Sequence, residues 1–294
     1  MVNELLEIKK LNISFGKLKN YEVFIEIDGL NVSRGSVIFF TGNNGSGKST
    51  LLRALFSVNP NYDYFNFIVS KDTLMNLNSS HKFSIDISSF SQNIVEYHKS
   101  ISYLDQHVSF LSRDSVLDAV KRFALVALYE CRRFYSKTDY RDKLYEIECL
   151  SEKYAFDYLV DIYQNSEKYY KSIDKKKTAI SILKQVKADN CSYGQQKLIS
   201  ILASIIKAIV LECDILALDE PLNHLDPNNK AYIVKLLSDL IETRNKEGNP
   251  LTIFIVSHCL VFPFIKLPNA YVYRIQDKKL VMNSEKLFYP CLDI

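Results

Sequence analysis

The chain predicts an α/β fold: a mostly parallel sheet covered on both faces, an antiparallel β subdomain at the N-terminus and an inserted helical subdomain. Three observations carry that expectation. Apolar runs of strand length at 37–40, 215–218 and 252–256 alternate, in the second half of the chain, with stretches of helical period. Glycine is scarce, eight in 294 residues, yet Gly42, Gly45 and Gly47 fall within six positions, just after the first of those runs. No glycine or proline occurs from 61 to 193, and the latter part of that stretch is rich in helix formers. One domain is expected over 1–294, with the α/β core at 1–105 and 192–294 and the helical subdomain at 106–191.

In chain order, Leu6-Glu7-Ile8, Leu11 to Phe15 and Val23 to Ile27 alternate in part, as strands of an antiparallel, half-exposed sheet do. Val37-Ile38-Phe39-Phe40 reads as a buried strand, and Leu51 to Leu55 opens a helix. The polar stretch Asn59 to Ser89 has no periodicity that assigns it. Ile101-Ser102-Tyr103-Leu104 is strand-like and stops at Asp105-Gln106. Helices follow at about 114–135, 139–164 and 176–188, with ends placed to within roughly two to four residues. The second carries the stripe Leu144, Ile147, Leu150, Tyr154, Tyr158 and Ile162, a pattern suited to a core face. Beyond Gly194 come a helix (195–210), the strand Ile215 to Leu218, a helix (228–244), the strand Thr252 to Val256 and a β-like tail (271–283). There is no internal repeat and no low-complexity tract.

The glycine cluster has a chemistry. Gly42-Asn43-Asn44-Gly45-Ser46-Gly47-Lys48-Ser49-Thr50 matches G-x-x-x-x-G-K-[ST], the phosphate-binding P-loop, and it sits between a strand and a helix as that motif requires. Glycines let successive N–H groups turn into one concave nest, and the helix that follows adds its positive end. Lys48 is then placed for the β- and γ-phosphate oxygens of a nucleotide and Ser49 for Mg²⁺. An accidental match should arise in roughly one chain per hundred of this length, and a glycine-poor chain makes accident less credible still. The core is therefore expected to be that of a P-loop NTPase.

Bulk properties bound the partners. Thirty-seven basic against 34 acidic residues give a net charge of +3, and Lys175-Lys176-Lys177, the longest like-charge block, suits a solvated helix end. Composition thus gives no reason to expect nucleic acid. Six scattered cysteines without a C-x-x-C pair read as apolar filler in a reducing compartment. The start lacks the pattern of a signal peptide, and the apolar stretch Leu198 to Leu211 is too short and too interrupted to span a bilayer. A cytoplasmic protein is expected, on the inner face of a membrane if a separate subunit supplies the spans.

A second constellation follows the P-loop. The strand at 215–218 delivers Asp219 and Glu220 at its C-terminal end. Alone, an acidic pair there reads as a cap or solvated turn. Beside a P-loop, Asp219 suits Mg²⁺ and Glu220 suits the general base that polarises the attacking water. Some twenty-five residues upstream, Ser192 in Cys191-Ser192-Tyr193-Gly194-Gln195-Gln196 reads first as an N-cap. P-loop, Ser-x-Gly-Gln segment, aspartate–glutamate strand and the later Ser257-His258 together resemble the ATP-binding cassette (ABC) ATPases, in order and spacing, over about residues 5 to 285.

That resemblance implies further roles. Ser192, Gly194 and Gln195 stand where the family carries Leu-Ser-Gly-Gly-Gln, with Cys191 and Tyr193 departing from it. Gln106 is placed as the glutamine that senses Mg²⁺ and the partner subunit. Asp226 falls in the D-loop-like Asn223-His224-Leu225-Asp226, and His258 matches the histidine that contacts the γ-phosphate. Phe15, in competition with Tyr21 and Phe24, is the candidate for stacking on adenine. Two cassettes, a homodimer or a pair with a paralogue, then bury two ATP molecules head to tail, the Ser192–Gly194 segment of one capping the γ-phosphate held by the other. Tyr193 puts a side chain at a turn the family leaves bare. The glycine-containing segment usual between P-loop and Gln106 is absent, and the insertion between Gln106 and Ser192 is longer than the common form.

Three readings follow. The first is the ATPase subunit of a transporter that energises a separate membrane-spanning subunit. The second is a soluble cassette ATPase acting on a protein or nucleic-acid assembly in repair, ribosome work or defence. The third is a module that binds ATP without turnover, against which Glu220 and His258 weigh.

Overall fold

The structure is a computed structural model and describes residues 4–15, 22–56, 67–69, 74–77, 99–106, 110–111, 113–257 and 269–282. Its strands are β1 (Glu4–Phe15), β2 (Glu22–Ser33), β3 (Val37–Thr41), β4 (Phe67–Val69), β5 (Leu74–Leu77), β6 (Ile101–Leu104), β7 (Ile215–Asp219), β8 (Thr252–Val256), β9 (Ala270–Gln276) and β10 (Lys279–Met282). They form one sheet in the order β4-β1-β2-β10-β9-β3-β8-β7-β6, with β5 also paired to β1. From β9 to β6 every pairing is parallel. The β1–β2 and β1–β4 pairings are antiparallel, and the tail strands β9 and β10 form an antiparallel hairpin.

The parallel strands read as unbroken apolar runs because both faces are covered. In β3, Val37 and Phe39 join one core while Ile38 and Phe40 join the other, as period-two alternation dictates. The first core holds the helical subdomain. The second holds α1 (Lys48–Phe56) between the parallel strands and the curled-over β1–β2 sheet. There Phe254 is wedged between Phe56 and Phe40, with ring centroids 4.5 and 6.0 Å away.

β1 and β2 run longer than the sequence predicts, and burial changes phase midway along both of them. Ile8↔Leu30 and Leu11↔Ile27 are buried pairs three residues apart on each strand, so strict alternation fails between them. Gly29, with φ +79°, lies at that break and lets the strand change phase.

The helices are α1, α2 (Val116–Glu130), α3 (Lys137–Tyr158), α4 (Val160–Gln164), α5 (Glu167–Tyr170), α6 (Lys175–Leu183), α7 (Tyr193–Val210) and α8 (Pro227–Lys246). Of the three helices predicted between 114 and 188, the second breaks at Leu159 while the first and third end earlier than predicted, and α5 was not foreseen. Starts are set by side-chain caps: Ser115, Ser136, Asp174, Ser192 and Asp226 each accept a backbone N–H of the first turn. The predicted stripe is a core face, with Ile147 and Tyr154 buried and the other four packed against the same core.

α7 is apolar nearly all round because it lies between the sheet and the helical subdomain. The polar residues that interrupt it are buried and satisfied. Ser200 and Ser204 bond back to Gln196 O (2.8 Å) and Ser200 O (3.0 Å), and Lys207 Nζ donates to Ile101 O (2.7 Å). No described helix is long and apolar enough to cross a membrane.

Candidate functional site

The parallel strands β3, β7 and β8 end together, and the P-loop leaves the first of them. Ser46 N–H donates to Asn43 O (3.1 Å) and Leu51 N–H to Gly47 O (2.8 Å), so the loop closes into the first turn of α1, where Lys48, Ser49 and Thr50 lie. Gly42 is required twice over: its φ is +145°, and an added Cβ would come within 2.8 Å of Ser46 Oγ and 2.9 Å of Ile275 O. Gly45 (φ +77°) and Gly47 (φ +94°) hold the rest of the curl, while Asn43 and Asn44 are exposed at its tip.

Lys48 is buried and its ammonium donates to Gly42 O and Asn43 O, both at 2.9 Å, so the lysine lies along the inside of the loop. Burial lowers its pKa, against the opposing pull of Glu220 and Asp219. Across from it, Ser49 Oγ donates to Asp219 Oδ1 (2.9 Å). Asp219 is wholly buried, and desolvation raises its pKa to about 6 despite that hydrogen bond. Its Oδ2 is buried with no hydrogen-bond partner among the described residues. A hydroxyl beside a buried carboxylate with a spare oxygen is a hard-oxygen donor set of the kind Mg²⁺ takes alongside phosphates. Among the described residues no three His, Cys, Asp or Glu side chains gather into a metal-binding cluster, so these donors suit an ion that arrives with its phosphates.

Glu220 follows at the strand's end with φ +47°, its N–H held by Val256 O (3.0 Å). Two side-chain amides donate to its Oε2: Gln106 Nε2 at 3.0 Å and Asn223 Nδ2 at 2.6 Å. Lys197, from the second turn of α7, donates to Asp219 O (2.9 Å) and Gln106 O (3.4 Å). Below these, Arg53 of α1 grips Asp105 with both carboxylate oxygens within 2.9 Å, fixing the end of β6 from which Gln106 projects.

The sequence-predicted residues therefore divide into groups. Lys48, Ser49, Asp219, Glu220 and Gln106 are connected by direct bonds or facing charges. Ser192, Gly194 and Gln195 lie instead at the N-terminus of α7. There Gln195 N–H donates to Ser192 Oγ (3.4 Å) and Ser192 N–H to Gln195 Oε1 (2.9 Å), a capping box. Asp226 caps α8, its Oδ1 accepting from Asn228 and Asn229 N–H at 2.9 and 3.0 Å. Phe15 closes β1, but its side chain lies outside the described residues, as do Tyr21, the side chain of Phe24 and the whole of His258. Lys197, Asn223 and the Arg53–Asp105 pair were missed. Asn223 lay within the segment singled out as D-loop-like, whereas a lysine inside an apolar helix gave no signal of its own.

Comparison with known proteins gives the family and the fold. The family described as "ABC transporter" matches residues 27–223. The chain is 27% identical over 255 residues to the methionine import ATP-binding protein MetN of Clostridioides difficile, covering 86% of this chain and 61% of that one. It is 26% identical over 270 residues to the oligopeptide transport ATP-binding protein OppD of Mycoplasma genitalium, covering 87% and 62%. The chain thus spans about three fifths of the length of these curated relatives. A dimeric ATP-binding cassette solved in a post-hydrolysis state with ADP and Pi superposes with a TM-score of 0.61 at 16% identity, over 97% of this chain and 100% of that one. A nucleotide-free cassette from an ABC transporter gives 0.57 at 19%, over 95% and 90%. These likenesses establish the same fold. With two thirds of its length matched by the family description, the chain belongs to the ABC transporter family.

Proposed function

We propose that the chain binds and hydrolyses ATP as one half of a head-to-tail dimer and energises a separate membrane-spanning subunit. The observation that carries this reading is the linked set Lys48–Asp219–Glu220–Gln106–Asn223 beyond the C-terminal ends of β3, β6 and β7. Lys48 and the loop N–H groups bind the triphosphate and orient it. Ser49 and Asp219, with Gln106 alongside, would hold Mg²⁺, which offsets phosphate charge when bound. Glu220, its Oε2 fixed by two amide donors, takes the proton from the attacking water. Two donors aimed at one carboxylate oxygen hold the side chain in place for that role.

The Ser192–Gln195 helix start, bonded within its own capping box, is suited to a γ-phosphate presented by a second copy. Phe15 is retained as the adenine-stacking candidate, His258 as the γ-phosphate contact and Asp226 as the seam residue of the 223–226 turn. The division into core (1–105, 192–294) and helical subdomain (106–191) is kept as part of the same reading, the latter facing the membrane partner. The printed names of MetN and OppD, import and oligopeptide transport, favour transport among the possible tasks. On that reading the chain works in the cytoplasm, against the membrane's inner face.

One finding favours a second reading. A stretch of 93 residues is 34% identical to the DNA repair protein rad50 of Schizosaccharomyces pombe, over 29% of this chain and 7% of that protein. A cassette acting on a nucleic-acid or protein assembly stays in contention on that account. Light scattering of Glu220→Gln with ATP and Mg²⁺ tests the ATPase dimer: the expected mass is twice 34.0 kDa. A monomer under all nucleotide conditions would sink it. Copurification from detergent extracts with a multi-span protein, as against a nuclease or adapter, separates the two tasks.

A further inference from the structure

Tyr193 stands where the resembled family has glycine, and the structure gives its ring a specific partner. Tyr193 is the first residue of α7, and half of its surface is exposed. Its ring meets the His224 imidazole edge to face, with centroids 4.7 Å apart and planes at 88°. The backbone packs at the same point: a Cβ on Gly194 would approach His224 O to 2.7 Å. His224 itself sits at φ +64°, at the end of the turn that begins at Glu220 (φ +47°). Within that turn Asn223 donates to the Glu220 carboxylate, and its own N–H donates to Glu220 O (3.3 Å).

These contacts make a continuous line. The Glu220 carboxylate is tied to Asn223, whose neighbour His224 is tied through ring and carbonyl to Tyr193 and Gly194, and so to the capping box of Ser192. We infer that Tyr193 is a positioning residue: its ring clamps the start of α7 onto the Glu220–His224 turn, so that the segment reaching a second copy is held in register with the chain's own general-base candidate. This rests on the head-to-tail dimer proposed above. A glycine at 193 has no side chain to make the contact. The exposed half of the ring leaves the helix start open to the partner copy. The clamp acts on the start of α7 through His224, so it predicts that nucleotide binding by a single copy is unchanged in Tyr193→Ala.

Two measurements on the full chain separate the clamp from the dimer. The first is amide hydrogen exchange at 192–196 without nucleotide, in wild type, Tyr193→Ala, Tyr193→Phe and His224→Ala. The clamp predicts faster exchange in both alanine variants and wild-type protection in Tyr193→Phe, which keeps the edge-to-face contact. The second is the ATP concentration for half-maximal dimer by light scattering, each variant in the Glu220→Gln background. An aromatic pair of this geometry is expected to shift it about three- to tenfold in Tyr193→Ala. Because the two rings act through each other, Tyr193→Ala/His224→Ala should be little worse than either single change. Unchanged exchange in Tyr193→Ala, or fully additive losses in the double variant, would overturn the clamp. Altered exchange with an unmoved dimer midpoint would overturn its role at the seam. Failure of the parent Glu220→Gln chain to dimerise would refute the dimer, and the seam role with it, while exchange still decides whether the clamp exists.

Discussion

Gly194→Ala is the substitution for which helix propensity and this structure give opposite answers. Gly194 is the second residue of α7, and its φ is not among the left-handed ones. On propensity alone, alanine there should stabilise the helix by about 0.5–1 kcal/mol. The structure places His224 O 2.7 Å from the added Cβ, and that atom is backbone in a turn already bent through two positive φ angles, at Glu220 and His224. It cannot rotate away as a side chain would. Forced overpacking costs about 1–3 kcal/mol, so the net expectation is a loss of about 1 kcal/mol, or about 2–4 °C in melting temperature for a domain of this class. Thermal unfolding of the nucleotide-free chain, followed by circular dichroism, reads the sign directly. A melting temperature above wild type would refute the close approach, and with it the packing of α7 against the 221–224 turn.

Three further outcomes follow from the site and its supports. Lys48→Ala should lose the charge-assisted contact to phosphate, weakening ATP binding by about 1.5–3 kcal/mol, roughly 10- to 150-fold, in a titration with a fluorescent ATP analogue. Asp219 has a folded-state pKa of about 6 against an unfolded value near 3.8, so the folded chain holds a proton that the unfolded chain releases. Nucleotide-free stability should therefore fall as pH rises from about 4 to 6, by at most about 2–3 kcal/mol, and Asp219→Asn should flatten that slope in urea midpoints measured across the window. Arg244, buried in α8, donates to Glu212 O, Cys213 O and Asn249 O between 2.8 and 3.2 Å. Arg244→Ala removes a donor from each of those carbonyls and should cost about 2–4 kcal/mol in urea unfolding, without moving ATP affinity in chain that remains folded.

The parallel half of the sheet was legible because its strands are short and almost wholly apolar, with Gly42 closing β3 and the Asp219-Glu220 pair closing β7. β3, β7 and β8 lie where the runs at 37–40, 215–218 and 252–256 put them. The antiparallel half was legible only in part, since Gly29 shifts the phase of β2 and two-residue alternation is what a reader follows. The helical subdomain defeated exact division for a related reason. Its helices start at serine and aspartate caps and break at Leu159, with no glycine or proline to announce the ends. At the site, residues on the motif were readable because spacing fixes them: Lys48, Ser49, Asp219 and Glu220 fall where a strand–loop–helix puts them. Asn223 and Lys197 act through bonds to Glu220 and to main-chain carbonyls, contacts that only the folded chain brings together. The Tyr193–His224 contact is of the same kind, joining residues 31 positions apart.

Complementation between defective copies tests most directly whether each catalytic site is shared by two chains. Lys48→Ala removes the phosphate-binding lysine but leaves the Ser192 segment intact, and Ser192→Arg blocks that segment but leaves the loop intact. Each variant alone should hydrolyse no ATP above background. Mixed in equal amounts, they should regain turnover, because a heterodimer assembles one site from the sound loop of one chain and the sound helix start of the other. A mixture no more active than the sum of its parts would contradict the shared site.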